Sequence, residues 1–269
     1  MKSKLRIMIA IISVMTLIMC ASGCTLSDKS DDSSTYQVTK INTGVKTEFD
    51  EGTVKLYFDK NDKEDAGDAK LEVKTDDLSG SIVVGSDVLV IDDSYILDDG
   101  DNGQYILVQL GYTNDEVKTV LVSIHDKKME AAEEIDYHLT GELESTVNKT
   151  FAMATRVNVL GTYEGQQTFQ IKNDKLVTED DTYIFSKSSD TRLTLEKKLK
   201  AQTVDGDKIT IKADEDIYPT GTDNKSVFYF ENKDGKECQL EFKKDGSDIK
   251  INGDDQYDVF KKLPYTKLR

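Results

Sequence analysis

The sequence contains no tryptophan, only two histidines and three cysteines, and each shortage counts against a class of site. Two histidines cannot build a three-histidine catalytic zinc centre. Without tryptophan, the stacking platform of a sugar site would have to come from tyrosine or phenylalanine, which disfavours carbohydrate chemistry. The chain has no phosphate-binding glycine loop with its following lysine. It also has no G-x-S-x-G elbow, the motif of many hydrolases. No known catalytic motif therefore stands out.

Basic residues are also in short supply, with 35 Lys and Arg against 51 Asp and Glu, for a net charge of −16. Binding to a nucleic acid backbone requires clustered Lys and Arg, and an anionic membrane surface repels an acidic protein. The composition excludes nucleic acid as a partner and excludes attachment to a membrane through charge. Solubility of an exposed surface is the simplest reason for this acidity.

The first part of the chain has the layout of a secretory signal. Three basic residues, Lys2, Lys4 and Arg6, precede an uncharged run over residues 7–19, and small residues follow at 21–23. This order of basic, apolar and small residues is typical of a leader that is cleaved. The apolar run is shorter than the about 20 residues needed to cross a bilayer. The sequence therefore predicts a signal peptide over residues 1–23.

The cleavage site of this leader resembles the bacterial lipobox, in which a lipid is attached to a cysteine thiol and the bond before that cysteine is cut. The matching residues are Ala21-Ser22-Gly23-Cys24. Cys20 follows Met19, a long side chain where this processing requires a small one. The resemblance implies that Cys24 becomes the lipid-bearing first residue and that Cys20 leaves with the leader. Two or more acyl chains such as palmitate hold a protein on its membrane more firmly than one chain does.

An ordinary secretory cleavage that leaves a free cysteine is the alternative, but an exposed free thiol is anomalous in a secreted protein. Loss of residues 1–23 removes three positive charges and no acidic residue, so the net charge changes from −16 to −19. Cys238 is then the one remaining thiol and cannot form an internal disulfide. We expect it to be a small buried hydrophobe. Residues 24–35 have almost no apolar side chains and are predicted to form a flexible tether.

From Tyr36 onward, short β-branched and aromatic runs alternate with turn residues, which predicts an all-β fold. In residues 104–112 and 119–124 both alternate faces are apolar, so these strands should be covered on two sides. The run KECQLEF alternates apolar and polar residues and follows SVFYF after an Asp-Gly turn, which predicts a hairpin with one wet face. The stretch KKMEAAEEI is compatible with a helix or with a hairpin arm.

Two stretches resemble known families. Residues 94–135, SYILDDGDNGQYILVQLGYTNDEVKTVLVSIHDKKMEAAEEI, resemble a repeat of the FG-GAP and VCBS propeller type. The later VLGTYEGQQTFQI and RLTLEKKLKAQTVDGDKITI segments are similar to the junction and tail of clostridial-type lipoproteins, whose tails resemble a small bacterial Src-homology-like barrel. The likeness implies a propeller-like domain over residues 36–190, with a sandwich-like domain as the alternative, and a small β-barrel over residues 191–269.

An acidic turn contains Asp98, Asp99, Asp101 and Asn102 beside two glycines. Hard cations such as Ca²⁺ take several oxygen ligands from alternate loop residues, and glycine permits the sharp turn. Aligned on the Asn-Gly step, the third ligand position is a glycine and the twelfth is Gln109, so an intact helix-flanked calcium loop is excluded. The resembling propeller repeats carry a calcium loop at this turn. A plain hairpin turn is the competing and favoured interpretation, because Asp, Asn and Gly all suit turns.

Ser123, His125 and Asp126 end another strand-like run, which raises a hydrolase hypothesis. Residues two apart on a strand share a face, so Ser123 and His125 could approach each other. Nothing in the sequence identifies an oxyanion hole. For this pair and for His138 the competing interpretation is the polar face of an exposed strand. A carboxylate pair for glycoside hydrolysis is compatible with so acidic a chain, but no pair is singled out.

These observations lead us to expect a lipid-anchored protein on the extracellular face of a bacterial cell membrane. Its β-rich ectodomain should be non-catalytic and bind a cell-wall component, a peptide or an envelope protein. The expected contact surface is the C-terminal barrel, where Tyr218, Phe228 and Phe230 supply aromatic side chains. The alternatives are a surface hydrolase using a carboxylate pair or Ser123 with His125, and a calcium-stabilised structural module. No cofactor is expected beyond this Ca²⁺ alternative.

Mass spectrometry of the native N-terminal peptide tests the anchor. We expect the mature chain to begin at Cys24 and its first peptide to carry the added mass of at least two acyl chains, because the lipobox resemblance places the lipid on this thiol. An unmodified Cys24, or a chain that begins elsewhere, would contradict the prediction.

Overall fold

The computed structural model describes residues 35–50, 52–60, 66–100, 103–113, 116–144, 146, 148–246 and 248–266. The predicted leader, Cys24 and all but the last residue of the predicted tether lie outside these ranges. Within them the chain is built from strands, with one short helix, α1, at Gln256–Val259. The predicted all-β fold is confirmed. Across the same ranges, no helix combines the length and the apolar character needed to span a membrane.

The strands follow one another along the chain as β1 (Gln37–Ile41), β2 (Lys46–Phe49), β3 (Gly52–Lys60), β4 (Gly67–Thr75), β5 (Ser79–Val88), β6 (Val90–Ile91), β7 (Ser94–Asp98), β8 (Gln104–Gly111), β9 (Val117–His125), β10 (Lys128–Ile135), β11 (His138–Leu139), β12 (Thr150–Asn158), β13 (Thr162–Lys172), β14 (Lys175–Thr178), β15 (Tyr183–Phe185), β16 (Leu193–Thr194), β17 (Leu199–Thr203), β18 (Lys208–Ile211), β19 (Asp216–Thr222), β20 (Val227–Asn232), β21 (Glu237–Asp245), β22 (Asp248–Ile251) and β23 (Asp254–Asp255). They form three sheets in which neighbouring strands run antiparallel.

The central sheet has the order β1-β7-β8-β9-β10, with β6 paired to β8. Every residue of β8 is buried, and its side chains alternate between two apolar layers. Ile106 and Val108 belong to one core cluster, while Tyr105 and Leu107 belong to another. The predicted coverage on two sides is confirmed. The stretch left open between helix and hairpin arm is the strand β10, paired along β9.

One face of the central sheet packs against the outer sheet, which has the order β2-β3-β4-β5. Their shared core includes Ile106, Val108 and Val122 from the central sheet and Leu56 and Leu71 from the outer sheet. These five side chains are fully buried. Two antiparallel sheets packed through alternating apolar residues form a sandwich, so the N-terminal part is sandwich-like, the alternative to the predicted propeller.

The other face of the central sheet packs against the first strands of the large sheet, which has the order β11-β12-β13-β15-β19-β20-β21-β17-β18. Leu107 and Leu121 of the central sheet share a core cluster with Phe151, Met153 and Phe169 of the large sheet. Over the part of the chain described, the large sheet has thirteen strands, the remaining four being β14, β16, β22 and β23. The central sheet is therefore the middle layer of three.

The C-terminal strands belong to this same open sheet. Tyr183–Phe185 pairs with β13 on one side and with β19 on the other, so backbone hydrogen bonding continues past residue 190. The C-terminal strands also pair with one another, as β17 does with β21, but the two end strands of the sheet, β11 and β18, do not pair with each other over the part of the chain described. None of the sheets in the described ranges closes, so the expectation of a closed C-terminal barrel is wrong. The division of the chain into domains at residue 190 stays a prediction.

The predicted hairpin between SVFYF and KECQLEF is confirmed as β20 paired with β21. Gly235 in its turn has a φ of 74°, a conformation that favours glycine. Cys238 is fully buried, and burial raises the pKa of its thiol, which supports its prediction as a small hydrophobe. Phe228 and Phe230 are also fully buried, so these two aromatic rings are absent from the expected contact surface.

Candidate functional site

A cleft of about 560 Å³ lies where the central sheet meets the start of the large sheet. Its walls come from β1, from the loop between β6 and β7, and from β11 with the turn after it. Apolar side chains line part of it, including Ile41, Ile91 and Leu139, and polar ones line the rest. Ligand sites in proteins usually combine an apolar lining with a few placed polar groups, so this cleft is the candidate functional site.

Gln109 lines the cleft and forms hydrogen bonds to two of its walls. It lies on β8, and its buried side chain faces the large sheet. Its Nε2 donates to the Asp93 carbonyl oxygen at 2.5 Å, and its Oε1 accepts from the Leu139 backbone amide at 2.7 Å. A buried amide needs partners for its donor and its acceptor, and here one side chain supplies both to groups in two different layers. Gln109 therefore positions the two walls relative to each other.

Lys40 joins the same two walls nearer the surface. Its Nζ lies 2.8 Å from an Asp93 carboxylate oxygen and 2.9 Å from a Glu142 carboxylate oxygen. Asp93 belongs to the β6–β7 loop and Glu142 to the segment after β11. These two hydrogen bonds raise the pKa of the Lys40 ammonium, so it stays charged. The cleft thus already contains one cation held between two carboxylates.

Besides Lys40, His138 and Asp92 are the cleft residues whose pKa values the surroundings displace. His138 is 9% exposed, and neither ring nitrogen has a hydrogen-bond partner within the described ranges. Burial lowers the pKa of His138, against the opposing charges of Glu164 and Asp92. Asp92 is exposed as a residue but its carboxyl group is partly desolvated, and this desolvation, followed by repulsion from Asp93, raises its pKa.

The charge of the cleft follows from these groups. Asp92, Asp93 and Glu142 supply three carboxylates, Lys40 supplies one ammonium, and the imidazole of His138 is neutral near pH 7. The walls therefore carry an excess of negative charge. Asp92 has no ion pair among the described residues. The carboxylates can accept hydrogen bonds and attract a cation, and the neutral imidazole has one donor and one acceptor nitrogen.

The residues of the hydrolase hypothesis lie away from this cleft. Ser123 is buried opposite Tyr105, and the described residues include no hydrogen bond between Ser123 and His125. The Nε2 atom of His125 instead lies 3.1 Å from a carboxylate oxygen of Asp174, and its ring packs edge-on against Tyr105 at 5.0 Å between centroids. His138, expected on the polar face of an exposed strand, is buried in the cleft wall instead.

Half of the acidic turn can be described. Asp98 accepts a hydrogen bond from the Gly100 amide at 2.8 Å, and Asp99 forms an ion pair with Lys149. Asp101 and Asn102 lie outside the described residues. Where side chains are described, no group of three or more His, Cys, Asp or Glu residues is arranged to hold a metal ion. Calcium binding at this turn stays a prediction, and the two carboxylates that are described already have partners.

Most of the cleft residues were not expected from the sequence. The sequence held one indication of this site. Gln109 is a polar residue in the middle of a strand whose two faces are otherwise apolar. A polar side chain buried on such a strand requires hydrogen-bond partners and so marks a junction. Nothing local distinguishes Lys40, Asp92 or Glu142 from the many other charged residues of the chain.

Comparisons of this chain with protein-family models, with curated proteins and with solved structures found no match.

The ionisation of His138 can be tested by pH. Burial lowers its pKa in the folded state, so the unfolded chain, with a pKa near 6.5, binds the proton more readily. The contribution of neutral His138 to stability is therefore complete above pH 6.5 and is lost as the pH falls through that value. We expect His138→Gln to lose less thermal stability than the wild type on acidification from about pH 7.5 to 5.

NMR of the imidazole protons provides the direct reading, since the chain has two histidines. The signal missing from His138→Gln belongs to His138, and His125→Gln is the matched control that retains it. We expect that signal to titrate with a midpoint below 6.5. A midpoint at or above this value would contradict the assignment of a buried, neutral imidazole.

Proposed function

We propose that this chain is a lipid-anchored binding protein of the bacterial cell surface, with Cys24 carrying the lipid and the cleft binding a cell-wall or envelope ligand. The observation that carries the proposal is the cleft itself, where a buried histidine with unpartnered ring nitrogens faces a concave surface. The ring nitrogens of His138 are not themselves fully buried, so they open onto the cleft, where a ligand can supply the hydrogen bonds that the described residues do not.

The construction of the cleft supports binding. Its volume of about 560 Å³ lies in the range of about 300 to 1,000 Å³ that is usual for ligand sites. Gln109 bonds to both walls, so the site is formed before a ligand arrives. A preformed site spends less free energy on ordering when it binds.

The proposed location on the extracellular face of the cell membrane is supported by the leader and the lipobox resemblance. A mature charge of −19 gives no electrostatic attraction to an anionic membrane, so the lipid has to supply attachment. Beyond the lipidated Cys24, the eleven remaining residues of the predicted tether, 25–35, reach about 18 Å on average. The ligand would then be found close to the membrane. The likeness to clostridial-type lipoproteins and to FG-GAP and VCBS repeats is consistent with such a placement.

A surface hydrolase is the second candidate, and one observation favours it. The pKa values of Asp92 and His138 are both displaced toward the neutral forms, and both residues line one cleft. Groups with displaced pKa values are common at catalytic sites. The Ser123 and His125 version has less support, because Ser123 is buried and no hydrogen bond joins it to His125 among the described residues. A hydrolase would release shortened wall fragments, whereas a binding protein would retain them intact.

Filling the cleft tests the proposal. Thr43 lines the cleft, whereas Val45 in the same turn is 54% exposed and is not part of the lining. We expect the full lipoprotein in detergent to sediment with purified wall and envelope fragments of its own bacterium. Thr43→Trp should reduce this binding at least tenfold because the indole occupies the cleft, and Val45→Trp should leave it unchanged. Equal binding by Thr43→Trp and the wild type would refute the cleft as the ligand site, as would no binding by the wild type.

A further inference from the structure

We propose that the cleft recognises a primary ammonium group at the end of an alkyl chain, such as a lysine-type side chain of a peptide, and that Asp92 and His138 receive this group. The inference rests on the proposed function, since it names the ligand of that cleft. It follows from the charge, the unpartnered histidine and the lining of the site.

The charge excess of the cleft selects the sign of the ligand. Lys40 offsets part of the charge of Asp93 and Glu142, and the Asp92 carboxylate remains without an ion pair among the described residues. An anionic ligand would meet repulsion from all three carboxylates. Lys40 already gives Asp93 and Glu142 a cationic partner, and a cationic ligand would give one to Asp92.

Lys40 shows the geometry in which these walls hold an ammonium. Its Nζ lies within 2.9 Å of two carboxylates that come from different segments, the β6–β7 loop and the turn after β11. A compact ammonium with three donors suits such a site, because it can bond to several single acceptors at once. A ligand ammonium would donate a hydrogen bond to the Asp92 carboxylate, which lies in the same loop as the Asp93 carboxylate that holds Lys40.

His138 is the independent observation that points to a ligand. It is more than nine-tenths buried, it lines the cleft, and its ring nitrogens have no hydrogen-bond partner within the described ranges. A neutral imidazole carries one acceptor nitrogen, which can take a hydrogen bond from an ammonium. Burial lowers the pKa of His138, so at neutral pH the ring does not repel a cation.

The apolar part of the lining selects an alkyl stem. Ile41, Ile91 and Leu139 line the same cleft as the carboxylates. Long amphipathic side chains place their methylene groups along apolar surface while the charged end reaches polar groups. A lysine-type side chain has both parts, whereas an inorganic cation has only the charge.

Calorimetric titration with three small probes tests the ligand class on the full lipoprotein in detergent. The probes are Nα-acetyl-lysine methylamide, its Nε-acetylated neutral counterpart, and Nα-acetyl-glutamate methylamide. We expect the lysine probe to bind and the other two to bind at least tenfold more weakly. Equal binding of the neutral counterpart or of the glutamate probe would overturn the proposal.

Variants locate the binding. Asp92→Asn and His138→Gln should each weaken the lysine probe at least tenfold. Neither side chain makes a hydrogen bond within the described ranges, so both variants should fold, and circular dichroism checks this. Glu144→Gln is the matched control, since it removes one negative charge from an exposed residue outside the lining. Unchanged affinity in a folded Asp92→Asn variant would overturn the proposal.

The two proposals fail in different ways. If Thr43→Trp abolishes binding to wall fragments while the lysine probe does not bind the wild type, the cleft is the ligand site and the ligand class is wrong. If Thr43→Trp leaves binding to wall fragments unchanged, the proposed function itself is wrong. Binding of the lysine probe with the expected loss in Asp92→Asn supports the inference.

Discussion

The burial of the central sheet on both faces is the constraint on which the rest of the structure depends. Each strand of this sheet contributes side chains to two cores, so a buried polar side chain on it can obtain hydrogen bonds from a neighbouring layer. Gln104, at the start of β8, obtains none among the described residues. Gln109 bonds to the Asp93 carbonyl oxygen and to the Leu139 amide. That pair of bonds holds the β6–β7 loop beside β11, and the cleft is the space left between them. The candidate site is therefore a consequence of how the middle layer is covered.

The parts of the fold that local pattern controls could be predicted. The two-faced apolar runs of β8 and β9 and the Asp-Gly hairpin of β20 and β21 depend on neighbouring residues, and all were found as expected. The stretch that became β10 has helix-forming composition, and its pairing with β9 decided the outcome. The C-terminal strands were expected to close into a barrel, but the pairing of Tyr183–Phe185 with both β13 and β19 makes them part of the large open sheet. No local pattern records such a pairing.

The candidate site shows the same division. Lys40, the Asp92 and Asp93 pair, Gln109 and Glu142 come from segments far apart in the chain, and only the topology brings them together. Each is an ordinary charged or polar residue in a sequence rich in such residues. Ser123 and His125 drew attention because they are close in sequence, yet His125 bonds with Asp174, 49 residues away. Proximity along the chain was thus a poor guide to which side chains meet, whereas the polar Gln109 on a buried strand lies at a junction between layers.

The role of Gln109 can be measured by amide hydrogen exchange at Leu139 in the wild type and in Gln109→Leu. The Leu139 amide donates to Gln109 Oε1, whereas the backbone hydrogen bonds that pair β11 with β12 are made on the other edge of β11. If Gln109 holds the two walls together, exchange at Leu139 should accelerate at least tenfold in the variant, while amides within β20 and β21 keep their protection. Unchanged protection at Leu139 in a folded Gln109→Leu variant would contradict the account.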